Sequence, residues 1–542
     1  MSLPNRIAIE LAVVASLAAL ALAWGIRGEG MASGYVDPLL HAGAQDEAVY
    51  GHAAARMARG GGWLTPVFLD RFMLNKPPLL EWAGAVSMRV FGIAPLWLRL
   101  PDLGAGVLCC VLVYAWVRRV RSVAAGLAGV ALLLANPVFL SISRKFMTDA
   151  LLTLFVTAAM FLIVVDPGWE RRWTALAFGA LAAAAVMTKS AAGLLPLAML
   201  ALFWILAGSN DRPALPKMAI AIGVAVVVAA PWHVYQFAVH RDWFMAEYVR
   251  FQLLGSGVTA PSRYTSDSNF WFYLKTLART DAVLLAFWAT SVPWLVMAWR
   301  GAEKTQARLL AAWFVIAVLG LGIFGTRAAY YLMPLLPALV LMSAEFSPLF
   351  RGKAAWVACA AALLWFGARV DYKPQAVAAA SALDDYARLR RSNELVIVGI
   401  GDEFYASVQD LPKVRYVYLT PLDATKTSEF FYRLGMILPG DQFCALDRWM
   451  PVYEQRLRAW GLPADLHPEA TLIDSSSAAA LPALIRCSPE RDFLVPEGMA
   501  SSDDEHVVQA APDGIVLLLA KKTSPRHPAS IAPGTVVRNR QP

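Results

Sequence analysis

Apolar residues along this chain gather in long unbroken runs. Runs of about 17–25 residues are the length that crosses a bilayer as a helix. Eleven are readable, at 7–26, 98–117, 122–141, 147–165, 173–187, 191–208, 218–239, 283–299, 309–324, 331–345 and 354–370. Several are short or broken by Pro or Gly, so the pattern predicts an α-helical multi-pass membrane protein with about 11–13 spans. The first run has Arg6 ahead of it and small residues near its end, as a signal peptide does. The spans that follow favour an uncleaved first helix.

Two long stretches interrupt the runs. In the first, 27–97, Val49, Ala53, Met57 and Ala58 recur at helical spacing, which predicts a helix with one buried face. Gly60–Gly62 end it. Pro77-Pro78 then open a second amphipathic helix carrying Leu79, Leu80, Trp82 and Ala83. Both are expected in the interface plane, with Trp63, Trp82 and Trp97 in an aromatic belt. Residues 240–257, "HRDWFMAEYVRFQLLGSG", have the same character.

From about Tyr372 the pattern changes. Strand-like runs at 394–400, 414–419, 442–446, 470–474 and 514–520 alternate with helical segments such as 376–391 and 450–460. This predicts a small α/β domain. The expected organisation is a transmembrane domain at 1–370, an α/β domain at 371–523 and a disordered, Pro-rich tail at 524–542. "GIGDEF" at 399–404 lacks the full dinucleotide fingerprint and reads as a turn.

Charge fixes the expected orientation. With the N-terminus in the cytoplasm, every inner loop is basic: Arg118, Arg119 and Arg121; Arg171 and Arg172; Arg212 and Lys217; Arg300, Lys304 and Arg308; Arg351 and Lys353. An odd number of spans then places the α/β domain outside. Composition agrees, with 58% hydrophobic residues, 16% charged and a mean hydropathy of +0.50. The net charge of +8 is explained by those loops, and nucleic-acid binding is not indicated. Cys109, Cys110 and Cys359 lie in apolar runs as small core residues. Cys444 and Cys487 are a candidate disulfide if their domain is extracytoplasmic.

No Walker A, HExxH, GxSxG or ferredoxin-type cysteine pattern is present. What remains is a set of carboxylates and cations at the predicted outer side. Asp46 and Glu47 follow the first span, Asp149 heads the fourth, and Asp102 lies nearby. Arg144, Lys145, Lys189 and Arg327 break the charge rule there. A carboxylate can serve as base for an acceptor hydroxyl, and cations can hold a leaving phosphate. Each also has a simpler reading. Asp46-Glu47 and Asp149 fit helix caps, the lysines fit snorkelling side chains, and His52 and His233 fit structural roles.

Seven motifs occur in order: "DEAVY", "KPPLLEW", "RLPDLGAGVL", "FMTDALLTLF", "MTKSAAGLLP", "APWHVYQF" and "TRAAYYLMPLLPAL". The set resembles the polyprenyl-phosphate-dependent glycosyltransferases of the GT-C superfamily over residues 1 to about 370. It is most similar to the branch of the lipid A aminoarabinose transferases and the bacterial relatives of protein O-mannosyltransferases. The resemblance implies an inverting transfer of a monosaccharide from a polyprenyl-phosphate donor to a lipid, glycan or protein acceptor. The expected place is the outer face of the bacterial inner membrane, among membrane lipids. It implies Asp46 as the catalytic acidic residue, supported by Glu47 and Tyr50, and Asp149 as the second acidic residue. It puts Lys76 near the donor phosphate, matches Lys189 to a basic position, and sets Tyr330 and Tyr331 near the donor pocket. Charge placement adds Arg144 and Arg327 to the phosphate-binding set. The scheme requires no cofactor, and a divalent metal is compatible with it but not indicated.

Three positions depart from the relatives. Asn75 stands where the aminoarabinose transferases tend to have Glu, Ser190 replaces the usual Gly, and Asp102 replaces a frequent Ser. They suggest a divergent sugar or acceptor. The alternative expectations are a flippase of lipid-linked sugars, which needs charges deep in several spans, and a receptor-like scaffold.

Overall fold

The computed structural model describes residues 3–24, 26, 44–68, 71–208, 211–255, 269–323 and 327–369, and, beyond these, parts of the stretch 386–521. The first part is almost wholly helical. It comprises α1 (Leu3–Ala23), α2 (Ala44–Ala58), α3 (Leu79–Phe91), α4 (Pro95–Val120), α5 (Val123–Ala135), α6 (Pro137–Ile142), α7 (Thr148–Val165) and α8 (Arg172–Lys189). Then follow α9 (Leu195–Leu206), α10 (Leu215–Val239), α11 (Arg241–Phe244), α12 (Asn269–Thr280), α13 (Ala282–Ala298), α14 (Lys304–Ile323), α15 (Leu336–Phe346) and α16 (Ala354–Arg369).

All eleven expected apolar runs are occupied by helix. Among the described residues, six stretches are long and apolar enough to cross a membrane: α1, α4, α7, Arg172–Leu206, α10 and α14. The pair α12–α13, bent by 113°, makes a seventh, and α5, α15 and α16 are shorter apolar helices. The chain is a membrane protein. Arg172–Leu206 holds two of the expected runs, joined at a 3₁₀ turn, Ser190–Leu194. A Cβ on Gly193 would collide with the backbone of Ala185 and Val186. In a continuous helix those residues would be about 12 Å away, so the chain folds back here and leaves Lys189 at the tip.

Local sequence explains the breaks. Asn136 caps α6 by accepting from Val138 N and Phe139 N, with Pro137 at the first helical position. Asp281 caps α13 by accepting from Leu284 N. The caps are themselves joined, Asn136 Nδ2 donating to Asp281 Oδ2 at 2.9 Å. The break after α5 is thus fastened to the bend before α13.

The first long loop differs from expectation in one respect. α2 is not half-buried: Tyr50 to Ala55 are all enclosed. Its small residues, Gly51 and Ala53–Ala55, let neighbours approach from every side, so α2 is an interior helix. α3 is one-sided as expected, burying Leu80, Gly84 and Met88 and exposing Val86, Val90 and Phe91. Trp82 Nε1 donates 2.6 Å to the Trp63 carbonyl, and Trp232 Nε1 and Gln236 Nε2 donate to that of Leu64. These side chains fasten the 63–65 turn to α3 and α10. A short hairpin, β1 (Val67–Phe68) with β2 (Arg71–Phe72), leads to Lys76. The 240–257 segment is helical as far as described, α11 running into a π-helix at Met245–Gly255.

The C-terminal part holds a seven-stranded mixed sheet. Its strands are β3 (Glu394–Val398), β4 (Lys413–Thr420), β5 (Ile437–Leu438), β6 (Ala470–Asp474), β7 (Asp492–Pro496), β8 (His506–Ala511) and β9 (Ile515–Ala520), in the order β5-β6-β4-β3-β7-β9-β8. The first five in that order pair in parallel, and β9 is antiparallel to β7 and β8. The buried Asp492 carboxylate accepts from Arg391 N, Ser392 N and Ala520 N at 2.8–2.9 Å, locking the start of β3 to the end of β9. β5, β7 and β8 were not expected. The expected strand at 442–446, the helix at 450–460, Cys444 and Cys487, the 399–404 turn and the tail lie outside the described residues.

Candidate functional site

Four separate turns bring charge to one place. The first is the start of α2, where Asp46 and Glu47 lie in the first turn and favour the helix dipole. Side by side, their carboxylates have different fates. Glu47 is fully buried and accepts two bonds from Arg99 of α4, Nε at 2.7 Å and an Nη at 2.9 Å. It also accepts from Phe146 N at 2.8 Å. A bidentate guanidinium and a backbone donor engage both oxygens of this carboxylate. Asp46 is half-exposed, and the Tyr330 hydroxyl donates to its Oδ2 at 3.5 Å.

The second turn carries Lys76, whose ammonium donates to the Tyr50 hydroxyl. Burial, and then the carboxylates of Asp46, Glu81 and Asp149, hold the Tyr50 phenol well above its usual range. It therefore stays a neutral hydroxyl. The third and fourth turns meet head to head: Asp149 in the first turn of α7, and Lys189 at the tip of the α8 reversal. Lys189 Nζ lies 2.6 Å from Asp149 Oδ1, with Asp149 only 1% exposed. The same ammonium sits 4.5 Å from the Tyr331 ring centre and 5.4 Å from that of Tyr330. It is also within electrostatic reach of Lys76 and Asp46.

Asp46, Tyr50, Lys76, Asp149, Lys189, Tyr330 and Tyr331 thus form one cluster. The two added arginines are placed differently. Arg144 is buried and donates 2.5 Å to the Trp24 carbonyl, tying the α6–α7 turn to the end of α1. Arg327 is half-buried, three residues before Tyr330, with its charge felt at Tyr273. His233 has a structural place, its ring nitrogens 2.9 Å from the Ala229 carbonyl and 2.7 Å from the Tyr248 hydroxyl.

Sequence reasoning missed Arg99 and Glu81. Arg99 falls inside the expected span 98–117 and was assigned no role there. Its signal was an arginine at membrane depth. Glu81, enclosed on α3, was passed over as the polar face of an amphipathic helix. Ser190 adopts φ +47° and ψ −124°, a region that suits glycine.

Beside the cluster lies an apolar cavity of about 460 Å³ between α3, α8 and α10, lined among others by Leu79, Trp82, Met187, Pro231, Trp232 and Tyr235. Its lining is apolar and aromatic, and two of the helices that form it, α3 and α8, are the ones that follow Lys76 and end at Lys189. Among the described residues no group of three or more His, Cys, Asp or Glu is arranged to hold a metal ion.

Known proteins match this chain in part. A family model described as dolichyl-phosphate-mannose-protein mannosyltransferase matches residues 75–235. The undecaprenyl phosphate-alpha-4-amino-4-deoxy-L-arabinose arabinosyl transferase of Pseudomonas paraeruginosa is 28% identical over 324 residues, 57% of this chain and 56% of the relative. The protein of that description from Yersinia pestis is 25% identical over 318 residues, 56% and 54% of the two chains. The chain spans about half the length of the curated relatives it matches. The crystal structure of ArnT from Cupriavidus metallidurans bound to undecaprenyl phosphate superposes with a TM-score of 0.67 at 16% identity, covering 95% of this chain and 98% of that one. Its apo structure gives a TM-score of 0.64 over the same shares. The chain is similar in sequence to polyprenyl-phosphate glycosyltransferases and shares the fold of ArnT, a helical membrane body followed by a terminal sheet.

Proposed function

We propose that this chain is an inverting glycosyltransferase that moves a monosaccharide from a polyprenyl-phosphate donor, undecaprenyl phosphate in a bacterium, to a hydroxyl acceptor. One observation carries the reading. Two lysine-bearing turns meet two carboxylates and a tyrosine pair, and the adjoining helices α3 and α8 line an apolar cavity with α10. A polyprenyl-phosphate sugar has matching parts: an apolar chain, a phosphate and a sugar. The chain enters the cavity between α3, α8 and α10, the phosphate lies against Lys76 and Lys189, and the sugar rests near Tyr330 and Tyr331.

Asp46 takes the proton of the acceptor hydroxyl as its oxygen attacks the anomeric carbon. The bond from that carbon to the phosphate oxygen breaks, and its electron pair stays on the phosphate. Lys76 and Lys189 stabilise the added charge in a water-poor site, with Arg327 flanking them. Glu47 acts through structure, fixing the start of α2 so that Asp46 keeps its place. Asp149 aims and pairs Lys189 until the phosphate takes over. Arg144 braces the turn that carries Phe146 and Asp149.

The site faces the periplasm in this reading, because basic residues crowd the loops on the other side. The candidate acceptors remain lipid A, a hopanoid, a polysaccharide and a protein hydroxyl. Movement of intact lipid-linked sugars gains no support from the named relatives, which are transferases.

The test is to incubate the purified protein with a panel of polyprenyl-phosphate monosaccharides and a membrane extract. Sugar recovered on an extracted product supports the proposal and identifies both substrates. Release of the intact donor across a liposome, with no transfer, would replace it with the flippase.

A further inference from the structure

The segment after α10 takes hold of the chain that leads to Lys76. Trp243 Nε1 donates 3.1 Å to the Phe72 carbonyl, and Glu247 Oε2 accepts from Leu74 N at 2.8 Å. Between them, Met73 N donates 2.9 Å to the Pro66 carbonyl across the hairpin. The alternation is that of an extended chain, in which backbone groups two residues apart face the same edge. One edge of 72–74 therefore pairs within the hairpin, and the other meets the α11–π segment. The spacings match. Two extended residues cover about 6.8 Å and four helical residues about 6 Å, so Trp243 and Glu247, four apart, reach Phe72 and Leu74, two apart.

Glu247 is itself anchored. Its neighbour Tyr248 is buried, with its hydroxyl 2.7 Å from His233 Nε2 on α10 and its ring stacked on Phe244 at 4.8 Å. His233 Nδ1 lies 2.9 Å from the Ala229 carbonyl, which only accepts. Nε2 of the neutral ring is then the acceptor, and Tyr248 donates to it. The segment runs as a π-helix over Met245–Gly255, a rare form often found at functional sites. On the far side of Lys76, Pro77 and Pro78 have no N–H to give. Leu74 is fully buried, so its amide needs the acceptor that Glu247 supplies.

We propose that Glu247 is a positioning residue for the donor phosphate: by holding the Leu74 amide it fixes the turn from which Lys76 reaches the phosphate. This rests on the transferase reading and deepens it with a residue that acts through Lys76. The link runs from α10 through Tyr248 to Glu247, then through the Leu74 amide to Lys76, whose ammonium donates to the Tyr50 hydroxyl. Glu247 serves only as a hydrogen-bond acceptor, and no covalent bond changes there.

The experiment is a double-mutant cycle on the purified full chain in nanodiscs, with affinity for undecaprenyl phosphate as the readout. Glu247→Ala should bind roughly tenfold more weakly than wild type, the scale of one hydrogen bond to a charged group. Glu247→Gln keeps an acceptor oxygen and should recover most of that loss. In a Lys76→Met background, Glu247→Ala should cost nothing further. Losses that multiply would show a structural role independent of Lys76 and overturn the proposal, as would a Gln variant as weak as Ala. Trp243→Phe, which keeps the ring and drops the donor, enters the same strand by a second route if Glu247→Ala does not fold. Its loss must also vanish in the Lys76→Met background. Failure of wild type to bind would instead remove the donor assignment, and this role with it.

Discussion

Glu47 and Arg99 lie 52 residues apart in sequence and form a fully buried, two-point ion pair, 2.7 and 2.9 Å long. It joins the start of α2 to α4. Phe146 N adds a third bond, which brings in the turn before α7. A pair so enclosed is costly to break, because the surviving charge is left without solvent or partner. Arg99→Met should therefore destabilise the protein by about 3–5 kcal/mol. Thermal unfolding in detergent, compared with wild type, checks this. A shift in Tm of less than a degree would show that the pair has no structural weight.

Gly84 faces the same junction. A Cβ there would meet the Phe146 ring at 2.5 and 2.7 Å and Leu98 Cδ1 at 3.0 Å. Gly84→Ala should push Phe146, and with it the amide that serves Glu47, at a cost of about 1–3 kcal/mol. Loss of activity should accompany the loss of stability. Gly104, whose Cβ would meet nothing, is the control. Gly104→Ala should be neutral in both measurements.

Ser190 predicts the opposite sign. Its φ of +47° strains any residue with a Cβ. Ser190→Gly should raise the stability by about 1 kcal/mol, read again as a Tm shift. Transfer activity should be kept, since Lys189 stays at the tip of the same reversal. A drop in Tm would mean that the Ser190 side chain makes contacts worth more than the strain.

Lys189 and Asp149 should separate kinetically. Lys189→Met removes a phosphate ligand and should raise the donor KM and lower kcat. Asp149→Asn keeps the shape but unpairs Lys189. Its effect should be smaller than that of Lys189→Met, because the lysine still reaches the phosphate. Steady-state rates over a range of donor concentrations distinguish the two. An Asp149→Asn variant as inactive as Asp46→Asn would make Asp149 the base.

Much of this was legible in the sequence, for definite reasons. Hydrophobic runs found the helices because the bilayer imposes a length. Asp46, Lys76, Asp149, Lys189 and the tyrosine pair, which sit in separate motifs, come together in space. Arg99 was hidden because its partner is 52 residues away, and a long-range ion pair leaves no local pattern. Glu81 was hidden because helical periodicity reports a face, not what that face meets. α2 read as half-buried because alanine and glycine are ambiguous between surface and close packing. β7 and β8 were passed over because DFLVP and HVVQAA are short and carry charge or polar residues. Residue type alone does not tell the two carboxylates at 46 and 47 apart; only the resemblance set Asp46 as catalytic and Glu47 as its support. Their partners separate them.

The central claim is that Asp46 is the base of a transfer from a lipid phosphate. The direct measurement is single-turnover transfer from a polyprenyl-phosphate sugar by wild type and by Asp46→Asn, with donor binding measured alongside. The account predicts unchanged donor affinity and a rate lower by about 10²–10⁴-fold in the variant. Equal rates at equal donor occupancy would contradict it.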